Sequence, residues 1–267
     1  MRILCDVHTH TMYSRHAYST MEENVREAAS QGFELLGLTD HFSSMLYEEQ
    51  TLKNFQFFLN LNVIPEVWHG VRVLHGCEVD IVDLEGNLFG HDIVVDTSIN
   101  GDKLAHPRYL GDLVLSRCDY AVASIHGKDW ARSATPAQVT RMYVNVLDNP
   151  HVLILGHLGR SFLDFDVDAL VRECRDRGKL IEINEATYAE GHATEQQDRC
   201  RRIAERCAEL GCMVSFGSDA HIATRIAHAD CVSRLLDEIH FPEELMACRD
   251  AATFLKVKEA AGVGIPH

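Results

Sequence analysis

The chain has 267 residues, 46% of them hydrophobic, enough to bury a full core within a single domain spanning 1–267. No apolar run reaches the roughly 18 residues of a membrane-spanning helix, and the opening MRILCDVHTHT lacks a signal peptide's apolar stretch and cleavage site. The net charge of −15, with 40 acidic against 25 basic residues and no basic stripe, argues against a long nucleic acid as partner but permits a small anion at a local cationic site.

Nine cysteines form no CxxC pair, and Cys174, Cys200 and Cys207 fall inside helical patterns, so reduced thiols and a cytoplasmic protein are expected. Histidine is over-represented at 16 residues, and bound metal would offset part of the acidity.

In chain order, Arg2 to Val7 (RILCDV) reads as a buried strand running into Asp6-Val7-His8-Thr9-His10. His8 and His10 are two residues apart, so on extended backbone both imidazoles face one side and can share a divalent metal. Ser19-Thr20-Met21-Glu22 has the spacing of a capping box, opening a helix to about Gln31 that Gly32 stops. Phe33 to Thr39 is a second strand, ending in Asp40-His41, and Glu49 to Asn62 reads as a surface-facing helix. Val71 to Ile81 is a third strand with Glu78 near its end. Leu84-Glu85-Gly86-Asn87 predicts a hairpin turn before a short strand at His91 to Val95, and Gly101 to Arg117 reads as loop then helix.

Tyr120 to Ile125 is strand-like and ends in His126; Thr135-Pro136 opens a helix to about Leu147. Val152 to Leu155 leads to Gly156-His157, and Asp166 can cap a helix from Val167 to Arg177. Lys179 to Ile183 leads to Asn184, Thr194 can cap a helix to Leu210, and Met213 to Phe216 runs into Gly217-Ser218-Asp219-Ala220-His221. The last third is helical, with Phe241-Pro242 as a turn.

Alternating strands and helices predict a parallel sheet with right-handed crossovers. Six of the seven principal strands end in His, Asp or Glu, and the other ends in Asn184. A β/α barrel brings all strand ends to one face, which explains how residues from 8 to 221 can share a site. An open doubly wound sheet would gather only a few, and no glycine-rich phosphate loop follows the first strand. His8, His10, His16, His41, Glu78, His126, His157, Asp219 and His221 are thus candidates for a multinuclear site. Each has an ordinary alternative; Asp219, for one, could cap the next helix. Nine metal-type groups at converging strand ends carry more weight together than apart.

The set HxH on the first strand, a further His six residues on, TDH, the third-strand Glu, SIHG, GH and GSDAH resembles the PHP (polymerase and histidinol phosphatase) superfamily. HTHTMYSRHAYST and LLDEIHFPEEL are most similar to its YcdX-type phosphatase branch. The likeness covers nearly the whole chain and implies an α/β fold, a distorted seven-stranded TIM-like barrel, with two to three divalent ions (Zn, Mn or Fe) at the strand carboxyl ends. By resemblance, His8, His10, Glu78 and Asp219 would hold the first metal, Glu78 would bridge to a second held by His126 and His157, and His16, His41 and His221 would hold the third. The branch also implies a homo-oligomer, a trimer.

Such a centre implies hydrolysis of a small phosphorylated metabolite, a phosphomonoester, by attack of a metal-bound hydroxide. Glu78 and Asp219 would be catalytic through the metals. Arg15 and Arg160, next to ligands, are candidates for forked phosphate contacts, with surface ion pairing as the alternative. Ser14 and Asn184 could donate to phosphate or orient a ligand; Lys128 and Arg225 are weaker candidates. Ser19 is assigned to the helix cap and Trp130 to packing. His69, His75, His91, His106, His151, His192, His228, His240 and His267 match no strand end.

Three other readings compete. An amidohydrolase would bridge its metals with a carbamylated lysine at a mid-chain strand end, where this chain has Glu78 and His126. Phosphodiesterase or exonuclease action on mono- or short oligonucleotides is compatible with the charge. A non-catalytic metal-binding module would be expected to lack ligands.

Overall fold

The computed structural model describes residues 1–188 and 193–264, so His192 and His267 lie outside the described residues. Its strands begin with β1 (Cys5–Thr9), β2 (Leu35–Leu38), β3 (His41–Phe42), β4 (Val67–Trp68), β5 (Val71–Asp80) and β6 (Val94–Thr97). They continue with β7 (Lys103–Tyr109), β8 (Tyr120–Ser124), β9 (Val152–Leu155), β10 (Leu180–Asn184) and β11 (Val214–Gly217). The helices are α1 (Met21–Ser30), α2 (Leu110–Leu115), α3 (Pro136–Leu147), α4 (Val167–Asp176), α5 (Thr194–Leu210), α6 (Asp230–Glu238) and α7 (Ala251–Ala260).

Seven strands make a parallel sheet in the order β1-β2-β5-β8-β9-β10-β11. The first and last nearly close it into a barrel: Asp219 N donates to His8 O (2.8 Å) and His10 N to Ala220 O (3.0 Å). Helices cover the outside, so the strands are buried on both faces and read as unbroken apolar runs, as in VLIL of β9. Inside, Tyr120 sends its hydroxyl to Val7 O (2.7 Å). A Cβ on Gly37 would sit 1.9 Å from that hydroxyl, so β2 needs glycine there. This is the distorted (β/α)7 TIM-like barrel expected.

Several local readings change. Thr20, not Ser19, caps α1: its hydroxyl accepts from Glu23 N (3.3 Å) and Glu23 returns to Thr20 N (2.7 Å). Ser19 Oγ instead accepts from Ala223 N (2.7 Å), tying the loop after β1 to the loop after β11. Thr194 is the first helical residue of α5 rather than its cap. The stretch read as a surface helix holds a 3-10 segment, Gln56–Val63, broken at Asn60. It turns inward, because Phe55 and Phe58 pack on Phe42 beside His41 (ring centroids 5.2 and 5.8 Å apart). The predicted short strand at His91 to Val95 is β6, shifted toward Thr97. The stretch read as loop then helix contains β7, which pairs antiparallel with β6 before the short α2. Alternation there is masked by polar residues because β7 is nearly all exposed.

Candidate metal centre

His8 and His10 lie at the end of β1, both fully buried. His8 Nδ1 is 2.7 Å from Glu182 Oε1, and His10 Nδ1 is 2.9 Å from Ser14 Oγ. A carboxylate can only accept, so His8 carries its proton on Nδ1. Ser14 gives its own proton to Asp40 Oδ1 (2.7 Å), so its oxygen accepts from His10 Nδ1 as well. Both Nε2 atoms then face inward, 3.2 Å apart. Two nitrogens at that distance need a proton on one of them or a shared cation between them.

Glu78, near the end of β5, stands at the middle of the cluster. Its Oε1 is 2.8 Å from His157 Nε2 and 3.4 Å from His126 Nε2. Its Oε2 is 2.7 Å from His41 Nδ1 and 3.4 Å from Nε2 of both His8 and His10. Despite that proximity, Glu78 Oε2 and His41 Nδ1 are buried atoms without a hydrogen bond. They touch without the geometry of a hydrogen bond, and with His126 they form a group that could share an ion. Buried polar atoms rarely stay unmatched, and a shared cation removes the cost.

Asp219 follows β11. Its Oδ1 is 3.2 Å from His10 Nε2, and its Oδ2 accepts from Arg160 Nη1 (2.6 Å). His221 donates from Nδ1 to Asp219 O (2.9 Å), which turns its Nε2 toward His16 Nε2, 2.9 Å away. All nine sequence candidates therefore meet at one end of the barrel. Among the described residues three groupings have converging ligand atoms: His8 with His10 and Glu78; His41 with Glu78 and His126; and His10 with His41 and His221. These groupings cut across the partition implied by resemblance, since His41 is drawn to Glu78 and His10 faces two sets. The donor set of imidazole nitrogen and carboxylate oxygen suits Zn, Mn or Fe.

Strained backbone occurs at three positions here. His157, Asp219 and Arg15 are non-glycine residues at φ 28°, 55° and 67°. His157 is held by its N–H donating to Glu182 Oε2 (2.7 Å). Gly217 leaves room for that same glutamate: a Cβ would lie 2.1 Å from Glu182 Oε1 and 2.6 Å from His8 Cβ.

The electrostatics reflect an excess of buried carboxylates. Burial alone would depress His8, but Glu182, Glu78 and Asp219 raise its pKa well above the ordinary imidazole value. Burial likewise opposes protonation of His126, yet Glu78 and Asp80 lift it to about 9. Burial would raise Glu78, but His8, His126 and His41 hold it well below a normal carboxyl. Asp219 is lowered in the same way, against burial, by His8 and His10. His10 goes down, by burial and by His41 and His221 beside it. The anionic pocket thus draws positive charge, which protons or divalent ions can supply.

The candidates for substrate contact separate. Ser14 is fully buried, its hydroxyl shared among His10, Asp40 and His41 N. Asn184 is buried too, its Oδ1 accepting from Thr187 N (3.1 Å) and its Nδ2 turned to Glu182 and Asp219. Both are buried and hydrogen-bonded to the candidate ligands or to the carboxylates beside them. Arg160 is part-buried on Asp219. Arg15 is exposed, its guanidinium stacked on Tyr47 at 4.8 Å, and forms no ion pair among the described residues. Lys128 donates to Ser161 O (2.7 Å), Arg225 is exposed, and Trp130 is partly buried against the core.

Sequence reading missed three carboxylates that hold the ligands. Glu182 positions His8 and His157; Asp80 accepts from His126 Nδ1 (2.6 Å) and from Ser43; Asp40 accepts from Thr11 N and Oγ1 (both 2.7 Å) and from Ser14. Such outer carboxylates fix the tautomer and raise the basicity of ligating imidazoles. The signal was present in part. Asp80 is two residues from Glu78, hence on the same face of β5, and Glu182 is a lone acid among the apolar residues of β10.

The PHP domain family model matches residues 6–247. A probable phosphatase of Clostridium acetobutylicum is 32% identical over 262 residues, covering 98% of this chain and 97% of that protein. One from Caldanaerobacter subterraneus is 33% identical over 246 residues, covering 92% and 87%. The crystal structure of histidinol phosphate phosphatase from Lactococcus lactis, complexed with Zn, L-histidinol and phosphate, superposes with a TM-score of 0.54 at 18% identity, covering 98% and 94%. At that identity the likeness speaks for the fold. The family model and the close relatives carry the rest, and the chain belongs to the PHP domain family.

Proposed function

We propose that this protein is a phosphomonoesterase acting on a small phosphorylated metabolite at a trinuclear metal centre. It is a phosphoric ester hydrolase of the PHP type, in keeping with relatives named probable phosphatases across nearly their whole length. One observation carries the metal reading: Glu78 Oε2 and His41 Nδ1 converge, buried and without a hydrogen bond, amid inward-facing imidazole nitrogens. His8, His10, His16, His41, Glu78, His126, His157, Asp219 and His221 would hold the ions, with Glu78 shared between two of them. When bound, divalent ions supply a nucleophile at neutral pH and neutralise phosphoryl charge.

The chain's own residues do the rest. Glu182, Asp80 and Ser14 keep the Nδ1 protons of His8, His126 and His10 in place, so that each Nε2 faces inward. Arg160 holds Asp219 by one arm of its fork and leaves other donors for a phosphate oxygen. Arg15, without an acidic partner among the described residues and next to His16 in the chain, is a second cation at the mouth.

The test is phosphatase activity of the purified protein after chelation and stepwise return of Zn, Mn or Fe, with metal quantified per chain. Activity that rises with loading and saturates at two to three equivalents is expected, and Glu78→Gln should abolish both loading and turnover. Turnover persisting in the fully stripped protein would refute the reading. A non-catalytic module would load metal without turnover.

A further inference from the structure

Three large apolar side chains stand in the open beside the centre: Tyr18 at 80% exposure, Met12 at 57% and Ile222 at 43%. Single exposed hydrophobic residues are ordinary, but these belong to one structure. Met12 N donates to Ser19 O (2.9 Å), Tyr18 N donates to His221 O (2.8 Å), and Ser19 Oγ accepts from Ala223 N (2.7 Å). The loops after β1 and β11 are therefore laced into a single lip, with His16 and His221 set in it.

The position of the lip gives it meaning. His8, His10 and Glu78 form a floor closed to solvent, whereas the side chains of His221 and His126 keep 28% and 24% exposure, and His16 is exposed. A phosphoryl group can reach the floor only from this open side. Its organic substituent must then lie at the mouth, against whatever lines it. The side chains of Met12 and Ile222 offer no hydrogen bonds and Tyr18 offers only its hydroxyl, so a polyol laid there would lose more water contacts than it regains, while an apolar group would gain by burial.

We propose that this lip binds the organic part of the phosphomonoester, and that the substrates are esters of alcohols with an aromatic or aliphatic body rather than sugar phosphates. The inference rests on the phosphomonoesterase reading above. The lip sets which ester is taken; the centre cleaves it.

The experiment uses the full metal-loaded chain and two esters with similar alkoxide leaving groups, 2-phenylethyl phosphate and ethyl phosphate. The expected ratio of kcat/KM is roughly tenfold in favour of the phenyl ester, the scale of partial burial of a ring. Calorimetric binding of 2-phenylethylphosphonate against ethylphosphonate should give a similar ratio without turnover. In Tyr18→Ser and Ile222→Ser the ratio should fall below about threefold. A ratio near one in the wild type, or one undiminished in both variants, overturns the inference. So does a self-association that Ile222→Asp disperses together with a wild-type ratio near one, which would assign the lip to a second copy of the chain. Phosphonates that bind with the expected ratio while neither ester is cleaved would support the lip and count against the phosphatase reading.

Discussion

Glu182 Oε1 lies 2.7 Å from His8 Nδ1, and this one contact decides which nitrogen of His8 faces Glu78. The other oxygen of Glu182 accepts from His157 N (2.7 Å), so a single buried carboxylate aims one ligand and pins the strained backbone of another. In Glu182→Gln the amide would present either an acceptor to His8 or a donor, and the negative charge is lost both ways. We expect metal affinity to fall by roughly 10- to 100-fold, the usual range for outer partners of ligating histidines. Competition against a chelator measures it. An unchanged affinity would make Glu182 a packing residue only.

Gly217 tests the same contact from the other side. A methyl group there would collide with Glu182 Oε1 at 2.1 Å and with His8 Cβ at 2.6 Å. Neither neighbour is a loose chain end, because both are fully or almost fully buried. Gly217→Ala should therefore displace His8, cost stability on the order of 1–3 kcal/mol as overpacking does, and reduce the metal bound per chain. Denaturant unfolding and elemental analysis read the two effects. A variant with normal stability and normal metal would show that the strand end can yield.

The alternation of β and α segments and the chemistry at each strand end were legible because both are local. Every nominated metal group, from His8 to His221, arrives at the same end of the barrel. What stayed hidden depends on pairs distant in sequence. Glu182 meets His8 across 174 residues, and no spacing within KLIEI points to that partner. Ser19 and Thr20 offer nearly the same capping pattern, and only the loop from β11, which takes the Ser19 hydroxyl, separates them. The segment from Phe55 to Val63 turns inward because Phe42 waits beside His41. Helical periodicity does not contain that fact.

His126 makes metal binding depend on pH. Burial opposes its charge, but Glu78 and Asp80 lift its pKa to about 9, so in the metal-free protein it is protonated at neutrality. A ligand must be bare, so binding has to expel that proton. Apparent affinity should rise with pH from neutrality toward about 9. Calorimetry in buffers of different ionisation enthalpy should detect net proton release near pH 7.5. Binding without proton release would mean that His126 does not join the metals.

Asp6 carries a separate pH dependence through stability. Its carboxylate is fully buried in β1 and accepts from Ser218 N (2.9 Å) and Ala227 N (3.0 Å), fastening the GSDAH segment to the first strand. Burial outweighs these bonds and raises its pKa from 3.8 to about 6. The folded chain thus holds a proton that the unfolded chain releases. The stability Asp6 contributes is complete below about pH 4 and is lost as pH climbs through 6. A shift of about two units corresponds to roughly 3 kcal/mol. Asn cannot titrate, so in Asp6→Asn this loss disappears, whatever the substitution costs at acid pH through its amide facing two N–H donors. Between pH 4 and pH 7.5 the stability difference should therefore move toward the variant by about that amount. Paired denaturant titrations of metal-free protein measure the movement, and parallel pH profiles for the two chains would show that Asp6 is already ionised in the fold at acid pH.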